Sequence, residues 1–412
     1  MLAGTARSPA GQPSFDVAVV GASIAGCTAA RMYAQRGARV ALIERKPAID
    51  AYKTVCTHFI QSSANGTIER LGLAPLLEER GAIFNSAEVW TAFGGWIRRP
   101  PGTEGGYSLT RKALDPILRR LAAETPGVEL LAGEKVVGLL ENGGVRGVEI
   151  ESSAGRRRSL AARLVVAADG RGSKVARIAR APGHVRPHGR FFYWAYYENL
   201  PLRSGEDAQM WIVDSDMAYV FPMEDGIALA AAAPRKERMP EFRADLEGAY
   251  TRYMSALPDG PDFASARRTS KFLGKLDMPN VYRRRSRPGL AFVGDAALAS
   301  DPVWGVGCGW AFQSSEWLVD ETAEALVGGA GLETALARYR RRHARELLPH
   351  HVMICDLATG REMNPVERAL FRAAARDVAV ASAFEGVGSR REQPWTMLKP
   401  STVARVARAA AA

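Results

Sequence analysis

The sequence predicts an α/β protein: a Rossmann-type dinucleotide-binding domain, an inserted, mainly antiparallel β-sheet domain, and a helical C-terminus. Three observations predict it. A strand, a glycine turn, a helix and a second strand open the chain. Alternating, aromatic-rich segments from Arg190 to Ala233 show no strong helical period. Helical patterns dominate from about Val306 onward.

The first strand, Asp16 to Val20, is apolar and rich in valine. A helix runs from about Ile24 to Arg36, and Gly37 stands where glycine commonly ends helices. The second strand, Arg39 to Ile43, ends at Glu44. Together they form a β-α-β unit with parallel strands and a crossover helix. Thr67 to Leu71 and Ala74 to Arg80 read as helical, and Ala87 to Phe93 as a strand. Between Arg111 and Glu124, Leu114, Ile117, Leu118 and Leu121 share one helix face, and Pro126-Gly127 stops the helix. Val128 to Leu131, Lys135 to Glu141, Val145 to Glu151 and Leu164 to Ala168 read as strands. Asn142-Gly143-Gly144 is a hairpin signal between the second and third of these. Glu241 to Leu257 reads as a helix, and Leu290 to Val293 as a buried strand ending in Gly294-Asp295. The nucleotide-binding domain is therefore expected from segments 15–75, 106–185 and 281–345. Segments 76–105 and 186–280 form the sheet domain, and 346–412 the C-terminal helices.

A chain of 412 residues, 47% hydrophobic, can bury a large core and is not a disordered composition. No run approaches about 18 consecutive apolar residues, so no stable membrane insertion is expected. Met1 to Ser14 lacks the apolar core of a signal peptide and reads as a loose tail. Four cysteines without a CxxC make no disulfide framework, and a reduced, cytoplasmic protein is expected. Cys27 and Cys308 read as packing residues. The net charge of +11 is spread along the chain. Its densest runs, at Arg156 to Arg158, Arg283 to Arg285 and Arg340 to Arg342, lack the interleaved aromatics of a single-strand groove, so nucleic acid is not an expected partner. A basic surface still suits a phosphorylated nicotinamide cofactor or a carrier-bound acid. The histidines His184, His188, His343, His350 and His351 show no metal-ligand spacing, so no metal is expected.

The turn after the first strand reads Gly21-Ala22-Ser23-Ile24-Ala25-Gly26. A dinucleotide fingerprint is G-x-G-x-x-G between strand and helix, with an acid about 20 residues on. Gly21 permits the tight turn, and Gly26 lets helix and strand approach. The helix N-terminus offers N–H groups and a positive dipole end to a pyrophosphate. Glu44 is the acid, placed to accept from ribose hydroxyls. Ser23 stands where the middle glycine belongs, and its hydroxyl is small enough to face a phosphate.

Two further strand ends carry acids: Ala168-Asp169-Gly170 and Gly294-Asp295-Ala296-Ala297. Both put an acceptor at the carboxyl edge of a sheet, where α/β ligands bind. These three motifs in order resemble the flavoprotein monooxygenases of the para-hydroxybenzoate hydroxylase fold. That superfamily includes geranylgeranyl reductases and flavin-dependent halogenases. The resemblance covers roughly residues 15 to 350 and implies bound FAD, with NAD(P)H docking transiently. It implies that Gly21, Ser23 and Gly26 line the FAD pyrophosphate and Glu44 the adenosine ribose, with Arg45 on the adenine side. It implies that Arg111 reaches the flavin, that Asp169 and Gly170 touch FAD, and that Asp295 binds the ribityl chain. The stretch Asp301-Pro302-Val303-Trp304-Gly305-Val306-Gly307 resembles the family's proline-then-GxG loop beside the isoalloxazine, implicating Pro302, Gly305 and Gly307. Leu298 replaces a histidine that the family often carries.

The resemblance implies hydroxylation of an aromatic or polyketide-like specialised metabolite, using NAD(P)H and oxygen through a flavin hydroperoxide. A reductase or dehydrogenase of the geranylgeranyl-reductase type remains an alternative, and a flavin-dependent halogenase a third. No Trp-x-Trp-x-Ile-Pro halogenase motif occurs. Tyr219-Val220-Phe221-Pro222 is similar to an aromatic-Pro segment of the reductase and halogenase branches, and Val55-Cys56-Thr57-His58 lies near where reductases carry Cys-Gly. His58 is the candidate catalytic acid or base. Trp90, Phe93 and Trp96, with the aromatic sheet, are expected to line an apolar substrate pocket.

Overall fold

β1 (Phe15–Val20), α1 (Ile24–Gln35) and β2 (Val40–Glu44) form the expected β-α-β unit. Val17 lies opposite Val40 and Val20 opposite Ile43 in a parallel pair. All five residues of β2 are buried, as a strand covered on both faces requires. The computed structural model describes residues 15–97, 99–283 and 287–411. The expected N-terminal tail and two members of the second arginine run, Arg284 and Arg285, lie outside the described residues.

Next come β3 (Ala87–Thr91), α2 (Arg111–Ala123), β4 (Val128–Ala132), β5 (Glu134–Glu141) and β6 (Val145–Ser152). β7 (Arg157–Ala167) is eleven residues long, well beyond the Leu164 to Ala168 strand expected from sequence. Its first half pairs antiparallel with β6, and its second half parallel with β1. Arg157, Arg158 and Ser159 are exposed, so only the buried half carries a strand-like apolar pattern.

β8 (Phe192–Glu198), β9 (Ala208–Val213), β10 (Asp216–Pro222) and β11 (Ile227–Ala233) make the second sheet. Its central order is β8-β11-β10-β9-β3. Every pair in that path is antiparallel except β9 with β3, which is parallel. The helix expected from Glu241 to Leu257 is two helices, Met239–Ala244 and Leu246–Ser255. Asp245 between them leaves the helical conformation (φ −151°), and its carboxylate accepts from the Gly248 N–H to cap the second.

β12 (Leu290–Phe292) pairs parallel with β7, completing the parallel order β4-β2-β1-β7-β12. α3 (Gly307–Gly328), α4 (Leu332–Leu357), α5 (Pro365–Arg376), α6 (Val378–Gly388) and α7 (Pro400–Ala411) follow. α1 packs on α3, and the Tyr33 and Thr322 hydroxyls meet at 2.5 Å inside that contact. Among the described residues no helix is long and apolar enough to cross a membrane, and no group of three or more His, Cys, Asp or Glu is placed to hold a metal.

Candidate functional site

The glycine turn is closed so tightly that side chains are excluded. Gly21 has φ +104°, and a Cβ there would lie 2.7 Å from the Ala168 carbonyl oxygen. A Cβ on Gly26 would lie 1.7 Å from the Gly21 carbonyl oxygen. β1, β7 and α1 therefore converge only because both residues are glycine. Ser23 is the N-cap of α1 but makes no side-chain cap bond, which leaves the first-turn N–H groups to another partner. Its hydroxyl instead accepts from Arg111 Nη2 at 2.5 Å. Glu44 braces the turn from below: Oε2 accepts from the Ala22 N–H and Oε1 from the Lys46 N–H, each at 2.9 Å.

One face of α2 organises the middle of the site. Arg111, Asp115 and Arg119 recur every fourth residue, and all three are buried. Asp115 Oδ1 accepts from the Arg111 guanidinium, while Oδ2 accepts from the Lys53 N–H at 2.8 Å. Arg119 donates to the carbonyls of Ala22, Ile49 and Ala51, pinning the glycine turn to the loop after β2. Sequence reasoning found Arg111 but missed Asp115 and Arg119, although their four-residue spacing was readable. Lys53, also missed, pairs with Asp295 (Nζ to Oδ2, 3.0 Å). Asp295 raises the Lys53 pKa. Burial would raise Asp295, but the Lys53 and Arg171 charges prevail and hold it below the usual carboxylate range.

Asp169 turns its carboxylate along the chain. Oδ1 accepts from the Ser173 hydroxyl at 2.6 Å and Oδ2 from the Val175 N–H at 3.0 Å. Gly170 (φ +83°) has open space beside it. Further on, Asp301 Oδ1 accepts from the Val303 N–H at 2.7 Å, and Oδ2 lies 2.6 Å from His188 Nε2. This fixes the turn that carries Pro302. Gly305 has φ +63° with Phe59 close by, and Gly307 opens α3 with open space where a side chain would stand.

His58 is held on both sides of its ring. Nδ1 accepts from the Arg111 N–H at 2.8 Å, which leaves the proton on Nε2, 2.6 Å from the Tyr196 hydroxyl. Burial, with Arg111 adding to it, lowers the pKa against the opposing pull of Cys56. The imidazole is thus fixed neutral, and His58 is not among the described residues that line the cavity. Cys56 and Cys308 do line it, with sulfurs 3.6 Å apart.

Gly21, Ser23, Glu44, Arg45, Arg111, Asp169, Gly170, Asp295, Pro302, Gly305 and Gly307 all line a single cavity of about 1120 Å³. Gly26 stands behind its wall. Phe192 and Trp194 of β8 and Leu229 and Ala231 of β11 form the apolar end. They alternate along their strands, so one sheet face meets the cavity, and Trp194 lies directly opposite Ala231. Trp90, Phe93 and Trp96 do not line this cavity, contrary to expectation. Trp90 and Trp96 pack on the far face of the sheet, Trp96 against Trp211, and Phe93 meets Phe371 of α5. Trp90 lies opposite Trp211 in the β3–β9 pair, and that register puts both in the core on the far face of the sheet. Tyr219 and Phe221 also lie behind the wall: the Tyr219 hydroxyl donates to the Val303 carbonyl, and Phe221 stacks on Phe59.

The donor set fits FAD. The first turn of α1 carries no side-chain cap and faces the cavity, suiting a pyrophosphate, carboxylates stand at Glu44 and Asp295, and Gly305 and Gly307 line the same cavity.

Residues 14–348 match the family described as FAD binding domain. The chain is 30% identical to digeranylgeranylglycerophospholipid reductase 2 of Methanopyrus kandleri, over 81% of this chain and 83% of that one. It is also 30% identical to 6-methylpretetramide 4-monooxygenase of Streptomyces rimosus, over 76% of each. Its fold superposes on p-nitrophenol 4-monooxygenase from Pseudomonas putida with a TM-score of 0.76 at 18% identity, covering 92% of this chain and 98% of that one.

Proposed function

The chain belongs to the FAD binding domain family, and from that premise we propose that it is an FAD-dependent monooxygenase that hydroxylates an aromatic or polyketide-like small molecule with NAD(P)H and oxygen. The observation that carries this reading is the continuity of the nucleotide cradle with the chamber walled by Phe192, Trp194, Leu229 and Ala231. Such a chamber takes a flat apolar substrate and keeps water away from the reacting atoms. The Streptomyces relative, named a 6-methylpretetramide 4-monooxygenase, supports it.

Bound FAD supplies the electron transfer from NAD(P)H to oxygen. The chain's own residues bind and orient it. Gly21 and Ser23 would hold the pyrophosphate, with Gly26 letting α1 close up behind them; Glu44 and Arg45 would hold the adenosine end, and Asp295 the ribityl chain. Arg111 presents positive charge beside Ser23 and Cys56. The N-terminus of α3, with Gly305 and Gly307, would offer N–H dipoles to the electron-rich edge of a bound flavin ring. His58 acts here as a positioning residue rather than an acid or base. NAD(P)H docks near Asp169 and Gly170 without a domain of its own, and we place the protein in the cytoplasm.

A second reading is a reductase of the geranylgeranyl type, favoured by the Methanopyrus relative and by a cysteine in the lining. Saturating an alkene needs a proton donor beside the substrate. The Cys308 contact, with the Arg111 and Lys53 charges, outweighs burial and holds Cys56 well below the usual thiol range. Protein reduced anaerobically with NADPH and mixed with oxygen separates the two. Oxygenation expects a delay between the loss of reduced flavin and the release of peroxide; prompt, stoichiometric peroxide would move the assignment to the reductase. Labelled oxygen in a hydroxylated product completes the test.

A further inference from the structure

Cys56 sits in the loop after β2, and Cys308 is the second residue of α3, 252 positions away. Both are free thiols, both line the cofactor cavity, and their sulfurs are 3.6 Å apart. A disulfide needs about 2.05 Å, so closure asks for a movement of roughly 1.5 Å. Glycines at 305, 307 and 309 flank Cys308.

The surroundings of Cys56 make a nucleophile of it. The His58 N–H donates to its sulfur at 3.3 Å, and Arg111 Nη1 stands 3.8 Å away. Lys53 adds a third positive influence. Electropositive, accessible surroundings of this kind favour thiolate. Cys308 is pushed the other way, first by its contact with Cys56 and then by burial, so it keeps its proton and donates it to the Cys56 sulfur. One sulfur is primed to attack and its neighbour to resolve. The other two cysteines differ. Cys27 is sealed in α1, its thiol raised by burial, and Cys355 is pushed up to about 11.

We propose that Cys56 and Cys308 form a peroxide-reactive dithiol in the cofactor cavity, which hydrogen peroxide converts to an intramolecular disulfide and a dithiol reductant restores. The Cys56 thiolate attacks one peroxide oxygen, and the O–O bond breaks. The departing hydroxide takes a proton from solvent and leaves as water, and Cys56 becomes a sulfenic acid. The Cys308 sulfur then attacks the Cys56 sulfur, the S–O bond breaks, and a second water carries off the Cys308 proton. One peroxide is reduced to two waters as the sulfur pair loses two electrons. The product staples the loop after β2 to the start of α3. This site does not depend on whether the enzyme oxygenates or reduces its substrate, because the test supplies the peroxide.

The test uses the full-length, FAD-loaded protein, reduced with dithiothreitol and desalted. Hydrogen peroxide is added in steps, free thiols are capped with N-ethylmaleimide, and intact mass and non-reducing peptide maps are recorded. A Cys56–Cys308 linked peptide is expected, two alkylation sites are lost together, and dithiothreitol restores both. Cys56 is expected to react at least about tenfold faster than Cys27 or Cys355. Cys308→Ser should stop at a Cys56 sulfenic acid that dimedone traps, and Cys56→Ser should leave Cys308 alkylatable at the same dose. If both thiols stay alkylatable, if Cys56 runs on to sulfinic acid without a cross-link, or if the link forms through Cys27 or Cys355, the proposal is overturned. Should a variant not fold, the wild-type map alone decides.

Discussion

Lys53 reaches across the cavity to Asp295, Nζ to Oδ2 at 3.0 Å, so the acid at the end of β12 is tied to the loop after β2. In the cofactor site proposed above, the other carboxylate oxygen would accept from a cofactor hydroxyl. Asp295→Ala should weaken FAD binding by about ten- to a hundredfold, the loss of a charge-assisted hydrogen bond. Flavin absorbance per protein after gel filtration measures it. Undiminished flavin retention would remove Asp295 from the cofactor site.

Gly26→Val should abolish folded, flavin-loaded protein. Its Cβ would meet the Gly21 carbonyl at 1.7 Å, and neither backbone has room to withdraw. Overpacking of this kind costs about 3 kcal/mol or more. Gly307→Ala is the control: it meets open space and should melt near the wild-type temperature. A soluble yellow Gly26→Val protein would refute the close approach of α1 and β1.

Tyr196→Phe leaves the buried His58 Nε2 proton without its acceptor. A buried unsatisfied donor costs about 1–3 kcal/mol, readable as a lower denaturation midpoint. The pH profile of flavin reduction should stay unchanged, as expected of a positioning role. A lost ionisation in that profile would instead make His58 the acid or base.

Acid should destabilise the fold through α4. Burial, aided by neighbouring positive charges, pushes His343, His350 and His351 down to about 4. The unfolded chain takes up their protons near pH 6.5, and the folded chain does not until about pH 4. Stability is therefore full above about pH 6.5 and falls across that window, by about 1.4 kcal/mol per pH unit for each histidine. Urea midpoints between pH 7 and 4.5 test this, and His343→Leu should flatten the slope by one proton. An unchanged slope would mean that His343 titrates normally.

The parts of the site legible in the sequence are those fixed by neighbours in the chain. Gly21, Ser23, Gly26 and Glu44 belong to one β-α-β unit, and Asp169 and Asp295 each end an apolar strand. Spacing along the chain carries such information. Lys53, the Cys56–Cys308 approach and the outward turn of Trp90 and Trp96 depend on how distant segments register, which no local period encodes. Arg119 falls between these cases. Its position on the α2 face was readable, but the carbonyls it gathers come from the glycine turn and the folded loop at 48–51. The charged half of β7 was hidden for a simpler reason: an exposed strand edge lacks the apolar run that marks its buried half.

The long separation between β1 and β12 also sets a timetable for biosynthesis. A nascent chain emerging from the ribosome displays the glycine turn and Glu44 within its first 44 of 412 residues. The wall that carries Asp295, Gly305 and Gly307 appears only after β12 has slotted beside β7. Until then the Gly21–Glu44 side of the cavity exists without its Asp295–Gly307 side, and α1 lacks the α3 surface it packs on. Cofactor capture thus belongs to the last third of synthesis or after release, and the growing chain must hold an unroofed parallel sheet through most of its own translation.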